Sequence, residues 1–242
     1  IKKACDALKN NDIDVLVTAP INKASVQKKV KKFIGHTEFL EGNFEGESLM
    51  IMVSERMRVA FVTSHVPLTE VQKSITTENI ITKTKKLNTS LIQDFGIRTP
   101  KIAVLGLNPH AGENGLLGDE ENERIIPAVK KLKEDGIIAF GPYPADSFFT
   151  SKNLEHFDGI LSMYHDQGLT AFKTLSFSDG VNYTAGLNIV RTSPVHGTAY
   201  EIAGQGVADE RSFREAVFMA CDIHKKRTEF KLLNETPLVF KS

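Results

Sequence analysis

The sequence predicts an α/β fold with a mostly parallel sheet and helices on both faces. Strand-like apolar runs alternate with helical segments along the chain, which is typical of parallel strands joined by helical crossovers. Three of these runs end alike, because a histidine follows each of them directly: His65, His110 and His165. The carboxyl ends of parallel strands share one edge of a sheet, where ligands bind. We therefore expect three imidazoles that are distant in sequence to converge at that edge.

The first half of the chain opens with an amphipathic helix. Strands are then predicted at 13–19, 49–53 and 58–63, and the last two are joined by a tight polar connection. A short helix is expected to begin near Glu38. A long helix follows, which Thr76 or Thr77 can cap and which Gly96 stops.

The second half continues the alternation of strands and helices. Its predicted elements are a strand at 102–107, a charged helix from about Glu120 to Gly136 with a break or restart at Pro127, a Gly/Pro loop at 140–146, a strand at 158–164, a helix near 169–175, a strand at 187–191 and an amphipathic helix at 210–227. The last helix carries Phe213, Val217, Ala220 and Ile223 on one side, which predicts that this side is buried.

Composition excludes several classes of function. Among 242 residues, 30 basic and 30 acidic side chains cancel, so no electrostatic signature for nucleic acid or an anionic membrane is present. The small lysine cluster formed by Lys28, Lys29, Lys31 and Lys32 is interpreted as a solvated helix face. The two cysteines match no disulfide or metal pattern, and no apolar run is long enough to span a membrane. We expect a cytoplasmic protein.

The three histidines are candidate metal ligands. Three neutral imidazole nitrogens suit Zn²⁺ or a similar divalent ion and leave a coordination position open for a substrate. The alternative is that each histidine only caps a strand or hydrogen-bonds a loop. The recurrence at three strand ends favours the metal site.

Seven segments in register resemble the 4-hydroxythreonine-4-phosphate dehydrogenase family. They are VTAPINK at 17–23, GHTE at 35–38, TSHVPL at 63–68, LNPHAGE at 107–113, GPYPAD at 141–146, YHDQG at 164–168 and PVHGTA at 194–199. The opening strand of the family and its Gly/Pro-rich loop are absent. Together with the start at Ile1 instead of a methionine, this predicts that an N-terminal piece is missing from the sequence.

The resemblance implies a fold like that of isocitrate and isopropylmalate dehydrogenases. Residues 1–242 would form one dehydrogenase domain, with two interwoven α/β subdomains that flank an active-site cleft. By the same resemblance His65, His110 and His165 bind one divalent ion, Zn²⁺, Mg²⁺, Mn²⁺ or Co²⁺. One subunit supplies two of these ligands and its neighbour the third, which makes the protein a homodimer with shared active sites.

The implied reaction oxidises the secondary alcohol of 4-(phosphooxy)-threonine by hydride transfer to NAD or NADP. The product is a β-keto acid that readily loses CO₂, within pyridoxal 5′-phosphate biosynthesis. Two alternatives remain at this point. One is a related dehydrogenase of another phosphorylated hydroxy acid, such as threonate or erythronate phosphate, or of a diol acid. The other is a catalytically inactive or structural metal-binding protein.

The resemblance also implies a set of residues around the substrate. His36, Thr37, Asn182 and Arg191 match substrate-binding positions, and Lys173 matches a contact to the reacting part of the substrate. Candidate proton acceptors are Lys173, Asp146 and Asp166. Without the family, Thr37 is equally well a helix cap, Arg191 can belong to a structural ion pair, and Lys173 can be an ordinary exposed lysine.

No Gly-rich dinucleotide fingerprint occurs in the chain. The segment His196, Gly197, Thr198 and Ala199 instead resembles the adenine-binding loop of isocitrate and isopropylmalate dehydrogenases, so the nicotinamide cofactor is expected along this loop. On its own, His-Gly-Thr is also compatible with a plain turn.

Overall fold

The structure of the chain is a computed structural model, which describes residues 1–22, 25–26 and 35–235. Its strands are β1 (Val15–Val17), β2 (Gly46–Val53), β3 (Arg58–Phe61), β4 (Lys101–Leu105), β5 (Ile138–Tyr143), β6 (Gly159–Ser162), β7 (Val181–Leu187) and β8 (Val190–Pro194). Its helices are α1 (Lys2–Lys9), α2 (His36–Glu41), α3 (Leu68–Ser74), α4 (Thr77–Gln93), α5 (Ile126–Glu134), α6 (Ala145–Phe148), α7 (Ser151–His156), α8 (His165–Ser176) and α9 (Arg211–Glu235). The predicted lysine cluster, Lys28, Lys29, Lys31 and Lys32, lies outside the described residues.

The described strands form one sheet in the order β1-β8-β7-β2-β3-β6-β4-β5. The pairs β1–β8, β3–β6, β6–β4 and β4–β5 are parallel, whereas β8–β7, β7–β2 and β2–β3 are antiparallel. The predicted α/β class with a mostly parallel sheet is confirmed. The three strands that precede the histidines, β3, β6 and β4, are adjacent and parallel, so their carboxyl ends lie at one edge.

Alternating side chains of the central strands form two cores, one on each face of the sheet. Val104 and Leu161 belong to one core, which α4, α5 and α9 cover. Leu105 and Ile160 belong to the other, which contains Phe172 of α8. Helices on both faces therefore exclude water from the central strands, and this rigid layer positions the loops at its edge.

The predicted helix boundaries around α4 and α5 are confirmed. The Thr76 hydroxyl accepts a hydrogen bond from the Asn79 N–H (3.2 Å) and caps α4. Gly96 follows that helix with a φ of +70°, a conformation that glycine adopts without steric cost. α5 begins after one π-helical turn, and Pro127 lies in the first turn of α5. Proline lacks an N–H, but N–H groups in the first turn of a helix have no partner within the helix, so no hydrogen bond is lost.

Two predictions of irregular and strand structure are wrong. The segment 140–146, predicted as a Gly/Pro loop, begins within β5. β5 is an edge strand of the sheet, and an edge strand tolerates proline. Gly141 is required there, since a Cβ atom would collide with the Val104 carbonyl. The predicted strand 187–191 spans the turn between β7 and β8, with the left-handed Gly186 (φ +82°) just before it.

The C-terminal helix is longer and less buried on its predicted apolar face than expected. α9 extends to Glu235, and it buries Ala220 and Ile223 against the sheet. Phe213 and Val217, predicted on the same buried side, remain 39% and 38% exposed. Among the described residues, no helix combines the length and the hydrophobicity that crossing a membrane requires.

A buried ionic network joins α4, β7 and α9. The Asp94 carboxylate accepts hydrogen bonds from the Ser90 hydroxyl (2.6 Å), the Tyr183 hydroxyl (2.7 Å) and the Arg227 Nε (2.6 Å). Arg227 also donates to the Tyr183 oxygen and to two carbonyls around the β7–β8 turn. Burial and the nearby Asp94 charge raise the pKa of Tyr183 well above its usual range, so its hydroxyl stays protonated as a donor.

We expect Arg227→Met to lower the free energy of unfolding by about 3 to 5 kcal/mol, because Asp94 would remain buried without its cation. Urea denaturation measures this change. The matched control is Arg214→Met on the same helix, which removes an exposed pair with Glu210 and is expected to cost about 0 to 1 kcal/mol. Equal destabilisation by the two variants would show that the network does not stabilise the fold.

Candidate active site

The three histidines lie at the same edge of the sheet. His65 follows β3 after a short extension, His165 is the first residue of α8 just beyond β6, and His110 lies in the turn after β4. Because these three strands are neighbours, the chain brings the three segments together across the sheet. The arrangement follows from the parallel pairing and not from any nearness in sequence.

His65 and His165 form a pair. Their ring centres lie 5.7 Å apart, and the His165 ring also stacks on Phe61 at 5.9 Å. The His165 Nδ1 lies 2.5 Å from the Asp166 carboxylate, which orients the ring and leaves its Nε2 for another partner. The pair lines a small cavity of about 180 Å³ together with Tyr164.

His110 lines a neighbouring cavity of about 380 Å³, with Asp146, Tyr164 and Gln167 on its walls. Tyr164 lies between the two cavities, since it lines both. Within the part of the chain that the structure describes, no set of three His, Cys, Asp or Glu side chains is arranged to hold a metal ion. The chain therefore holds two of the predicted ligands close together, whereas the third lines a different cavity.

The turn that carries His110 is left-handed over six consecutive residues. Positive φ angles occur at His110 (52°), Ala111 (51°), Gly112 (78°), Glu113 (44°), Asn114 (58°) and Gly115 (96°). L-residues rarely adopt this conformation in succession, because each Cβ approaches the following carbonyl oxygen. The surrounding contacts must therefore hold the turn in place.

Buried carboxylates supply those contacts. The Glu121 side chain, 2% exposed, accepts hydrogen bonds from the N–H groups of Leu107 and Asn108 (both 2.7 Å). The Asn108 amide donates to Glu120 (2.7 Å) and Glu121 (2.9 Å). Hydrogen bonds from Gln72 and Asn108 lower the pKa of Glu120. Neither glutamate was predicted as a site residue, since carboxylates in a charged helical segment are typical of solvated surface groups.

Gln167 was also missed as a site residue, although it lies within the quoted YHDQG segment. Its side-chain amide accepts a hydrogen bond from the Met163 N–H (2.7 Å) and donates to the Gly106 carbonyl (2.7 Å). Nothing local to residue 167 signals the bridge, because Gly106 is 61 residues away in sequence and follows a different strand.

The three candidate proton acceptors lie in different surroundings. Lys173 is half-buried on α8, two turns beyond His165, and is not among the residues that line either histidine cavity. Asp146 lies in the first turn of α6 and lines the His110 cavity. The Asp166 side chain is 81% exposed and paired with His165. The structure thus distributes these groups around the edge of the sheet.

Arg191 is a buried cation. Among the described residues, its side chain hydrogen-bonds only to hydroxyl groups. Arg191 is 5% exposed, and its guanidinium donates to the hydroxyls of Thr18 (2.7 and 3.0 Å) and Thr184 (3.0 Å). Burial lowers the pKa of Arg191 to about 10, against the opposing charge of Glu38 on the first turn of α2. The segment that contains His36 and Thr37 is thereby near Arg191. No local feature of the sequence marks Thr18 as a partner of Arg191.

Asn182 lies on the same face of the sheet as Arg191. In the β7–β8 ladder Thr184 pairs with Arg191, and Asn182 is two residues before Thr184. The Asn182 Oδ1 is buried and has no hydrogen-bond partner among the described residues. On this face the buried guanidinium can donate to an anionic group, and the unsatisfied Asn182 Oδ1 can accept from a hydroxyl or ammonium group of the same small ligand.

The segment from His196 to Ala199 borders a larger cavity of about 550 Å³. Phe177, Glu201 and Asp209 line the same space. A Cβ atom placed on Gly197 would meet no atom within 4 Å, so the space beside this backbone is open. The Ser212 hydroxyl accepts from the Val195 N–H (3.1 Å) and donates to the Gly180 carbonyl (2.7 Å), which anchors the start of the loop.

The chain is similar to known proteins in sequence and in fold. Over 241 residues the chain is 54% identical to a 4-hydroxythreonine-4-phosphate dehydrogenase of Bacteroides thetaiotaomicron, covering 98% of this chain and 66% of that protein. The crystal structure of the Klebsiella pneumoniae 4-hydroxythreonine-4-phosphate dehydrogenase matches with a TM-score of 0.81 and 36% identity, over 92% of this chain and 67% of that one.

The predicted isocitrate dehydrogenase-like fold is confirmed. Isocitrate dehydrogenase of Methylococcus capsulatus matches with a TM-score of 0.52 at 11% identity, over 97% of this chain and 74% of that one, which is a likeness of fold alone. The chain spans about two thirds of the length of its curated relatives. The model of the family "pyridoxal phosphate biosynthetic protein PdxA" matches residues 1–220. This chain therefore belongs to the PdxA family.

Proposed function

We propose that the protein oxidises 4-(phosphooxy)-threonine with NAD or NADP in pyridoxal 5′-phosphate biosynthesis. The hydride from the secondary alcohol carbon passes to the nicotinamide, and the hydroxyl proton passes to a basic group. The resulting β-keto acid, 2-amino-3-oxo-4-(phosphooxy)butanoate, loses CO₂ to give 3-amino-2-oxopropyl phosphate. The histidine pair at the sheet edge, in a chain 54% identical to a named dehydrogenase of this substrate, carries the proposal.

The proposed metal site needs two subunits. Two imidazoles that share one ion through Zn–N bonds of about 2 Å have ring centres roughly 5 Å apart, close to the His65–His165 separation of 5.7 Å. His110 borders a different cavity, so the third ligand would be His110 of the partner subunit. A bound Zn²⁺, Mg²⁺, Mn²⁺ or Co²⁺ ion would supply Lewis acidity at the substrate oxygen. The active sites would then be shared in a homodimer.

Arg191 is the proposed anchor for the substrate phosphate. Its buried guanidinium has donors in a fixed fork, which match the oxygen atoms of a phosphate better than a flexible ammonium does. Asn182, on the same face, and His36 and Thr37, on the nearby α2, complete the binding set. α2 has only six residues, so the argument rests on Arg191 and not on a helix dipole.

Lys173 is our proposed proton acceptor, with Asp146 and Asp166 as the competing groups. Lys173 is half-buried on the helix that begins with His165, and a lysine amine is one of the side-chain groups that serve as general bases. Asp166 already orients His165, and Asp146 lies beside His110, so both are better placed to support the histidines.

The nicotinamide cofactor would bind along the loop of His196, Gly197, Thr198 and Ala199. The adjoining cavity has the volume that small-molecule sites commonly have. One of the two free cysteines, Cys221, is exposed, which suits the reducing cytoplasm as the place where the enzyme works.

The function is tested by following reduced nicotinamide in a panel of substrates with Zn²⁺, Mg²⁺, Mn²⁺ or Co²⁺ added. We expect 4-(phosphooxy)-threonine to give the highest kcat/KM, and its analogue without phosphate to lose one to two powers of ten because Arg191 would lack its partner. His65→Ala should abolish most of the activity, whereas His156→Ala on the exposed end of α7 should not. Faster turnover of threonate or erythronate phosphate, or of a diol acid, would overturn the substrate assignment.

Gly197→Val tests the cofactor loop. We expect the KM for NAD to rise at least tenfold while the KM for substrate stays unchanged, because the new side chain would fill the cavity that the loop borders. The open space around Gly197 means that the variant should keep the wild-type melting temperature, which serves as the folding control. An unchanged KM for NAD in the folded variant would exclude this loop from cofactor binding.

A further inference from the structure

The main-chain pairing between β4 and β6 ends before it reaches the histidines. The last pair joins Val104 to Leu161. Two residues later the Gly106 N–H donates to the Tyr143 carbonyl in β5 (2.8 Å), on the other side of β4. The pairing of β4 with β6 thus stops before the chain continues towards His110, and another contact has to set the distance between these two strand ends.

The Gln167 side chain makes that contact. Its Oε1 accepts from the Met163 N–H, beyond the end of β6, and its Nε2 donates to the Gly106 carbonyl, beyond the end of β4 (both 2.7 Å). Only a side chain that both donates and accepts can bridge an N–H and a carbonyl in this way. The amide of glutamine has this property, and a carboxylate or a thioether of similar length does not.

Two close approaches make the bridge rigid. A Cβ atom at Gly168 would lie 2.7 Å from Val59 Cγ1, so the first turn of α8 is pressed onto the sheet. On the other side, a Cβ at Gly106 would lie 3.0 Å from Ala111 Cα, so the left-handed turn lies directly against Gly106. A shift at Gly106 is therefore passed on to the turn and to His110.

We propose that Gln167 is a positioning residue that fixes the distance between His110 and His165. The inference rests on the proposed metal site, in which a subunit gives His165 to its own site and His110 to that of its partner. The bridge would then set the geometry of both sites of the dimer at once. A displacement of about 1 Å is enough to cost two powers of ten in activity at such sites.

The test is the Zn²⁺ affinity of the full chain, measured on metal-free protein by competition with a chromophoric chelator. Gln167→Met keeps the length of the side chain and removes both hydrogen bonds, and we expect a ten- to hundredfold loss of affinity. Gln167→Asn, whose amide is one methylene too short to reach both partners, should lose affinity similarly and carries the test if the methionine variant does not fold.

Tyr183→Phe is the matched control for a merely structural effect. It removes buried hydrogen bonds to Asp94 and Arg227, so its melting temperature should fall, but it lies outside the histidine cavities and should bind Zn²⁺ as the wild type does. The Zn²⁺ affinities are compared between variants of similar melting temperature. A larger loss of affinity in the Gln167 variants than in Tyr183→Phe supports the inference.

His165→Ala separates the two ways in which the account can fail. If His165→Ala loses Zn²⁺ binding while folded Gln167→Met binds as tightly as the wild type, the positioning role is wrong and the metal site stands. If His165→Ala also binds as tightly as the wild type, the proposed metal site is wrong, and the role of Gln167 falls with it.

Discussion

A path of hydrogen bonds across three strand ends is the constraint on which the candidate site depends. Both the N–H and the hydroxyl of Thr63 donate to the Met163 carbonyl (3.2 and 3.0 Å), the Met163 N–H donates to Gln167, and Gln167 donates to Gly106. The path joins the segments that follow β3, β6 and β4. Each histidine lies within four residues of a member of this path. The path therefore restrains the backbone positions from which the three imidazole side chains extend.

The His110 turn shows how this edge balances strain against hydrogen bonding. Its four non-glycine residues in left-handed conformation cost about 1 to 2 kcal/mol each. Hydrogen bonds to a charged group contribute about 1.5 to 3 kcal/mol each, and Glu121 accepts three, two from backbone N–H groups and one from Asn108. The two contributions are of similar size. A buried carboxylate can thus hold a histidine in a position that the local sequence alone would not favour.

The sequence predicted the α/β class and the three strand ends, because apolar runs and the residues after them are local features. It failed at β5, where Gly141 and Pro142 are typical of a loop but lie in an edge strand, and at 187–191, where a strand was predicted across the turn between β7 and β8. The role of Glu121 and the hydrogen bond of Gln167 to Gly106 could not be predicted, because these partners are brought close only by the tertiary fold. The same holds for Thr18, whose hydroxyl meets Arg191 across 173 residues.

The pairing of His65 with His165 in one subunit, completed by His110 of the partner subunit, is the central claim, and subunit mixing tests it most directly. Equal amounts of two inactive variants are unfolded, refolded together and titrated with Zn²⁺. Mixing His110→Ala with His165→Ala should restore about a quarter of the wild-type sites, since half of the dimers are mixed and each has one intact site. Mixing His65→Ala with His165→Ala should restore none. Recovery of sites in this second mixture would contradict the account.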